Sequence, residues 1–375
     1  MTEIFLIRHT QAEGNLYRMM QGHWDGGVTI HGHAQIAALA ERFRNERVDA
    51  VYSSDLTRAR LTAGAITKYH ELPLHTDEAL REIDVGPWEA EFFGNVLHNE
   101  PEQAINFVQH QDIWHIDGAE SFEAVRERGY AALVRIARAN EGGRVAVVSH
   151  GVTIRCIMTR VLNVPLDDVQ TLPIFGNTSV TTLVWDGAGF SAVGMNDTAH
   201  LDAFSRPLWP KVSALRDEAI DPCAEGEYYK ACYADSWRAA HGTLRGYDEA
   251  VYLAAAKRHH AAHAGAVRRL YDGDVPVGLI DMDTARDAEK GLGWISLVYL
   301  CQEYRGRGYG IQVLARAIKE YSLLSRHELR LHVAEDNAAA RRFYEGAGFE
   351  YIDEPGAAAG QPLLMRMPLG GNAHV

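Results

Sequence analysis

The sequence predicts an α/β chain divided into two unlike domains, and three observations carry that expectation. Its 375 residues suffice for two ordinary domains. Through the first half, short apolar runs alternate with amphipathic stretches of helical period, the pattern of a mainly parallel sheet covered on both faces. At residues 202–212 (DAFSRPLWPKV) two prolines and a loss of periodicity mark a boundary, giving domains 1–202 and 203–375.

In chain order, residues 3–8 read as an apolar strand running into Arg8 and His9. A helix is expected over 32–46, a strand over 48–53 and a helix over 55–69. After a stretch read as loop, helix 120–139 precedes strand 144–149, which ends on His150, and helix 151–162 follows. Strands 179–185 and 190–195 form a hairpin across Asp186-Gly187. In the second domain a helical stretch is expected over 213–263, then strands 266–271 and 275–282 joined by DGDV. Strand 293–300 runs into RGRGYG, followed by helix 310–324, strand 329–334, helix 337–347 and a last strand at 363–367. Ligands on open α/β sheets sit beyond the carboxyl ends of the strands. His9 and His150 both lie at that end.

Hydrophobic residues make up 47% of the chain and charged residues 23%, an ordinary globular balance. The formal charge of −13 is uneven. Residues 1–202 hold 16 Lys and Arg against 27 Asp and Glu, a net of −11, and residues 203–375 hold 21 against 23, a net of −2. Neither half reads as a basic nucleic-acid binder, and no apolar run reaches the ~20 residues of a membrane span. The start MTEIFLIRH lacks the basic region of a secretion signal. Cys156, Cys223, Cys232 and Cys301 form no CxxC pair and read as reduced, mostly buried thiols of a cytoplasmic protein. An acidic domain that handles phosphate must gather its few arginines locally.

A histidine that accepts a phosphoryl group needs one neutral ring nitrogen to attack and the other held by a hydrogen bond. It also needs cations at the phosphoryl oxygens and a proton donor for the leaving oxygen. Arg8-His9 begins such a set. SSDLTRARLTA (53–63) offers Arg58 and Arg60 at a helix start, and LREIDVGPWE (80–89) offers Glu82 and Asp84 as acids. At these residues, with Asn15, the run NLYRMMQGHWDGGVTIHGHAQ, GAES (118–121), VVSHG and NDTAHL, residues 3–201 resemble the histidine phosphatase superfamily, the phosphoglycerate mutase-like proteins. The resemblance implies a three-layer α/β/α domain. It implies that His9 is the nucleophile of a phosphohistidine intermediate and that Glu82 is the general acid, with Asp84 as its understudy. Arg8, Arg58 and His150 would complete the phosphate pocket, lined by Asn15, Gln21, Gly22 and Gly151.

Three departures stand out. Thr10, Gln11 and Ala90 occupy positions where the family commonly has glycine, glutamate and glycine, and they read as specificity changes. Residues 91–117 contain no Lys or Arg, where mutases carry a longer basic insertion, so hydrolysis is expected. Phe92, Phe93, Phe107 and Trp114 in that region read equally as a cap over an apolar leaving group or as a small lid core. His23 is a candidate substrate contact, and the remaining histidines of the first domain fit no metal-ligand spacing.

RGRGYG (305–310), between a strand and a helix, lets backbone amides approach a phosphate. With HVAEDNAAARRFYEGAGFE after it, residues 275–352 resemble the GNAT acetyltransferases. That resemblance implies an α+β domain with a mixed central sheet, acetyl-CoA as cosubstrate and no metal. The amides of Arg305, Gly306, Arg307, Gly308, Tyr309 and Gly310 would hold the pyrophosphate. The strand at Val298, Tyr299 and Leu300 would run along the pantetheine arm, which Asn337 would also bind, and Tyr344 would protonate the departing thiolate. The general base stays open among Asp281, Asp283 and Glu303. KRHHAAHAG (257–265) reads as a solvated helix end.

The expected protein is therefore a bifunctional enzyme, a phosphomonoesterase joined to an N-acyltransferase. Its partners would be a small phosphomonoester and a small amine, with no nucleic acid and no membrane, and a homo-oligomer is compatible with the sequence. The alternatives are a mutase in the first domain, or one domain sensing a ligand for the other.

Overall fold

The apolar run at the start of the chain forms β1 (Thr2–Arg8), in a computed structural model that describes residues 1–202, 212–352 and 362–369. The chain divides into two units, Met1–Leu208 and Trp209–Val375. The boundary expected after residue 202 borders residues 203–211, which lie outside the described residues.

In the first unit β1 is followed by α1 (Glu13–Tyr17), α2 (Ile30–Phe43), β2 (Ala50–Ser53), α3 (Thr57–His70) and β3 (Leu74–Thr76). Then come α4 (Phe93–Asn99), α5 (Pro101–Gln109), α6 (Phe122–Ala139), β4 (Arg144–Ser149), α7 (Gly151–Leu162), β5 (Val180–Trp185) and β6 (Phe190–Asp197). The sheet order is β3-β2-β4-β1-β5-β6. The first four strands run parallel, and β5 and β6 add antiparallel. The strand period of two divides β1 between two cores. Ile4 and Leu6 pack with residues of α6 and α7, and Phe5 and Ile7 with residues of α2 and α3. The strand β1 pairs with β4 in parallel register, Arg8 opposite Ser149, so both strands end at the same sheet edge. That register sets His9 beside His150.

The region read as loop after residue 69 contains β3, α4 and α5. These are three, seven and nine residues long, too short to display a period.

The second unit comprises β7 (Arg216–Ala219), α8 (Gly226–His241), α9 (Glu249–Ala262), β8 (Val267–Asp272), β9 (Val275–Asp283), β10 (Leu292–Leu300), α10 (Gly310–Leu323), β11 (Glu328–Val333), α11 (Ala338–Gly346), β12 (Glu350–Tyr351) and β13 (Leu363–Pro368). The order is β12-β13-β11-β10-β9-β8-β7, and only β10 and β11 run parallel. The expected helical stretch at 213–263 is corrected at its start, where β7 is an edge strand. Its sequence RDEA has no apolar alternation to betray it, and ion pairs from Asp217 to Arg268 and Arg316 hold it instead. The strands β10 and β11 pair only from Leu292 to Ile295 and from Glu328 to Leu331. A register shift between Ile295 and Leu297 then bends β10.

No described helix is long and apolar enough to cross a membrane. The four cysteines are free. Cys156 and Cys232 are buried, but Cys301 is half-buried and Cys223 exposed.

Candidate active sites

His9 follows β1, and its amide donates to the Ser149 carbonyl at 2.9 Å. Its ring Nδ1 lies 2.6 Å from the Thr10 carbonyl oxygen. A carbonyl only accepts, so Nδ1 carries the proton and Nε2 keeps a free lone pair. The ring is buried. Burial first, then the charges of Arg58 and Arg8, hold its pKa well below the ordinary histidine value. His9 is thus a neutral imidazole with its tautomer already chosen.

The His150 ring lies 5.0 Å from that of His9, centroid to centroid. Arg58 Nε donates to His150 Nδ1 at 3.3 Å, which leaves the ring proton on Nε2. His150 Nε2, Arg8 Nε and the side-chain amide of Gln21 are buried without a partner among the described residues. Buried donors left unpaired cost about 1–3 kcal/mol each, so these groups call for an acceptor. Arg8 lies across Gly151, where a Cβ would stand 3.2 Å from Arg8 Nε. Arg58 is fully buried and donates to the carbonyls of Trp24 (3.0 Å) and Gly22 (2.7 Å). Burial lowers its pKa to about 10, which still leaves it charged at neutral pH.

Glu82 sits at the N-terminus of α7. Its carboxylate accepts from the amides of Val152 (3.1 Å) and Thr153 (2.9 Å), a place where the helix dipole favours negative charge. The Glu82 carbonyl accepts from Arg128 Nη2 and His23 Nε2, each at 3.0 Å. Arg128 is itself gripped by both oxygens of Glu120, at 2.6 and 2.8 Å. Asp84 accepts from the Gly86 amide and lies 3.6 Å from His23. Asn15 Oδ1 accepts from the Ala12 amide and from Asn177, which also donates to the His9 carbonyl.

In the second unit, the divergence of β10 from β11 opens a cavity of about 830 Å³. Ile295 to Val298, Leu331 to Ala334, Asn337 and Tyr344 line one side, and Tyr233, Trp237, Tyr252, His259, Asp281 and Asp283 line the other. The amides of residues 306–310 donate to no backbone carbonyl among the described residues. Gly306 and Gly308 take φ of 69° and 93°, values that favour glycine. These amides and the unpaired edge of β10 fit a long ligand with a phosphate group. Asn337 Oδ1 caps α11 through the Ala340 amide, leaving its NH₂ group for a ligand. Burial raises the Tyr344 hydroxyl above the ordinary phenol value.

Residues 4–198 match the model of the histidine phosphatase superfamily (branch 1). The chain belongs to that superfamily. Residues 227–349 match the acetyltransferase (GNAT) family, so the same chain carries a GNAT domain. A Salmonella choleraesuis protein named "Probable phosphoglycerate mutase GpmB" is 28% identical over 208 residues, which cover 54% of this chain and 96% of that protein. The solved structure of Bacillus stearothermophilus YhfR is 30% identical with a TM-score of 0.53, covering 54% of this chain and all of that one. These findings support hydrolase and acetyltransferase chemistry in one chain.

The structure of this histidine phosphatase brings together Arg8, His9, Arg58 and His150, and corrects several neighbours. Gly22 is wall rather than phosphate ligand, because its amide is taken by Glu89 and its carbonyl by Arg58. A Cβ there would meet Glu89 and the Ile83 carbonyl at 2.3 Å. Glu89 accepts from the amides of Gly22, His23, Trp24 and Val85 and so shapes the loop that seats Arg58. Sequence reasoning missed that role, as it missed Arg128, Glu120 and Asn177, although Glu89 and Glu120 stand inside quoted motifs. His23 fixes the Glu82 backbone, and its side chain also borders a pocket with Arg81, Asp84 and Arg128. Thr10 and Gln11, read as specificity changes, each make hydrogen bonds within the fold. The buried Thr10 hydroxyl approaches the Gly32 carbonyl and Gln35, and Gln11 accepts from Thr29. Of the two lid readings the core holds for Phe107 and Trp114. They pack edge-on with each other and with Phe122, at 5.2 to 5.5 Å, and Phe93 joins the same cluster.

Ala90 carries φ of 59°, which strains a residue with a Cβ. Ala90→Gly is therefore expected to raise stability by about 0.5–1 kcal/mol, the relieved strain less the entropy glycine adds to the unfolded chain. Urea unfolding midpoints check this, and an unchanged or lower midpoint contradicts it.

In the GNAT domain, Val298 faces the cavity, but Tyr299 packs on the core beneath α8. The Leu300 carbonyl is taken by Arg305. Arg305 is an anchor rather than a pyrophosphate ligand. Its amide donates to Gln302 and its guanidinium also to Asp235. The Tyr309 hydroxyl is paired with Ser213. Glu303 is exposed and lies outside the cavity lining. KRHHAAHAG is not wholly solvated, since His259 is buried against Asp281 at 2.8 Å. Among the described residues no group of three His, Cys, Asp or Glu is arranged to hold a metal ion.

Proposed function

We propose that this chain hydrolyses a small phosphomonoester through a phosphohistidine at His9, and that its GNAT domain transfers an acetyl group from acetyl-CoA to a small amine. The observation that carries the first half is the neutral His9 with free Nε2, ringed by the unpaired donors of Arg8, His150 and Gln21. His9 Nε2 attacks phosphorus while Arg8, Arg58 and the Nε2–H of His150 hold the oxygens. Glu82 gives a proton to the leaving oxygen, then takes one from the water that releases phosphate. In the second half, acetyl-CoA supplies a thioester. The amides of residues 306–310 and Asn337 would bind it.

Hydrolysis is favoured over mutase chemistry because residues 91–117 offer no cation for a second phosphate. The relative named as a mutase keeps that alternative in view, and dependence on a bisphosphate primer would mark it. Fusion of the two domains suggests that one small molecule, such as a phosphorylated amine, is handled twice.

Rapid quenching with labelled phosphomonoesters tests the reading. An acid-labile, base-stable phosphoenzyme mapped to His9 is expected. Turnover of a good substrate with no such species would exclude it.

A further inference from the structure

The wall of the GNAT cavity opposite β11 carries a set of groups that acetyl-CoA binding does not use. His259, on α9, directs Nδ1 to Asp281 at 2.8 Å. Asp281 is fully buried and also accepts from the Tyr229 hydroxyl at 2.7 Å. A carboxylate only accepts, so His259 Nδ1 holds a proton; Nε2 faces a second carboxylate, to which it donates in the imidazolium, and it gains its lone pair as a base once that proton is lost. Nε2 lies 3.3 Å from Asp283, whose side chain is 26% exposed. Beside them stand Tyr233 and Tyr252, stacked at 4.1 Å, with Trp237 5.7 Å from Tyr252. All of these side chains line the cavity, as does Tyr344.

We propose that the Asp281–His259 pair is the general base of the acyl transfer, and that Asp283 and the Tyr233–Tyr252–Trp237 wall select a primary amine whose body presents a flat face for stacking. The inference rests on the acyltransferase reading above. Asp283 holds the substrate ammonium, which loses one proton to solvent. The amine nitrogen then bonds to the acyl carbon as the carbon–sulfur bond breaks, its second proton passes to His259 Nε2, and the electron pair leaves on sulfur. Tyr344 has a hydroxyl harder to ionise than an ordinary phenol. Full transfer to a thiolate, whose conjugate acid ionises near ~8.5, runs uphill. Tyr344 therefore stabilises the sulfur by donating a hydrogen bond, and the thiolate takes its proton from solvent as His259 returns one. Burial opposes protonation of His259, but the bond to Asp281 and the charges of Asp281 and Asp283 outweigh burial and the repulsion of Arg258, so its pKa is raised. Tyr229, Tyr233, His241, Tyr252, Arg286 and His332 also line the cavity as titratable or charged groups.

The full-length chain is titrated calorimetrically with free CoA and, separately, with 2-phenylethylamine, glucosamine and 1,4-diaminobutane. Acetyl transfer to each is then followed against pH. The two amines with a stackable face are expected to bind at least about tenfold tighter than the straight diamine. Asp283→Asn is expected to weaken their binding by roughly 10- to 100-fold with CoA binding unchanged, which also certifies the fold. His259→Gln is expected to keep amine and CoA affinity, lower kcat by roughly 10²- to 10⁴-fold, and erase the inflection on the acid limb of the pH profile. Wild-type transfer with both variants unaffected overturns the proposal and leaves the acyltransferase reading intact. A diamine that binds as tightly as the other two overturns the stacking wall. Failure of the wild type to bind CoA or transfer an acetyl group overturns the acyltransferase reading, and the base assignment with it.

Discussion

Replacing His9 with alanine is expected to lower the rate of phosphate release by roughly four to six orders of magnitude, the usual cost of removing a nucleophile that forms a covalent intermediate. Arg8, Arg58 and His150 would still bind the phosphate, so affinity for inorganic phosphate should change far less than turnover. The same substitution should blunt acid sensitivity. His9 and His150 both have folded pKa values held well below that of an exposed histidine, chiefly by burial. The folded chain therefore binds fewer protons than the unfolded one. Stability is complete above about pH 6.5 and falls below it, by up to about 1.4 kcal/mol per pH unit for each histidine. His9→Ala removes one of the two contributions. Urea midpoints at pH 7.5 and 5.5 should thus lie closer together in the variant than in the wild type. Equal spacing would mean that His9 titrates normally, and residual turnover within tenfold of wild type would remove it as nucleophile.

Arg58→Ala is the second large effect, and it should strike stability and chemistry together. The guanidinium holds two sites at once, the carbonyls of the 21–24 loop and His150 Nδ1, and in the proposed mechanism it also reaches the phosphoryl oxygens. Its removal leaves buried acceptors without donors and is expected to cost about 3–5 kcal/mol. Loss of a cation at the phosphoryl oxygens is expected to lower kcat/KM by roughly 10³-fold. Arg58→Lys should rescue little, because a point charge cannot replace a planar fork that donates in three directions. Calorimetric unfolding and steady-state kinetics on both variants check this. Full rescue by lysine would mean that charge alone matters.

Much of this architecture was legible because burial writes itself into sequence period. The alternation in β1 divides two cores, and the apolar run of β4 marks its partner. The histidines that end both strands announced the reacting edge. What stayed hidden acts through main-chain groups. Glu89 binds four amides and Arg128 three carbonyls, and neither side chain carries a pattern that names such targets. Thr10 looked like a change of specificity because the resemblance places its motif at the phosphate pocket, yet its hydroxyl turns inward. His259 was obscured by basic and alanine neighbours that suggest solvent. Only the pairing of α9 with β9 reveals its carboxylate partner.

The aromatic cluster around Trp88, Phe107, Trp114 and Phe122 has a consequence for how such a protein diversifies. These residues form a core separate from the two that flank the sheet. The ladder between β1 and β4 sets His9 beside His150, while residues 91–117 pack on Ile83, Val85 and Trp88, on Phe122 and Val125 of α6 and on Cys156 of α7. Mutations can therefore reshape that outer module while the hydrogen bonds that aim His9 stay untouched. The two parts of the fold can drift at different rates.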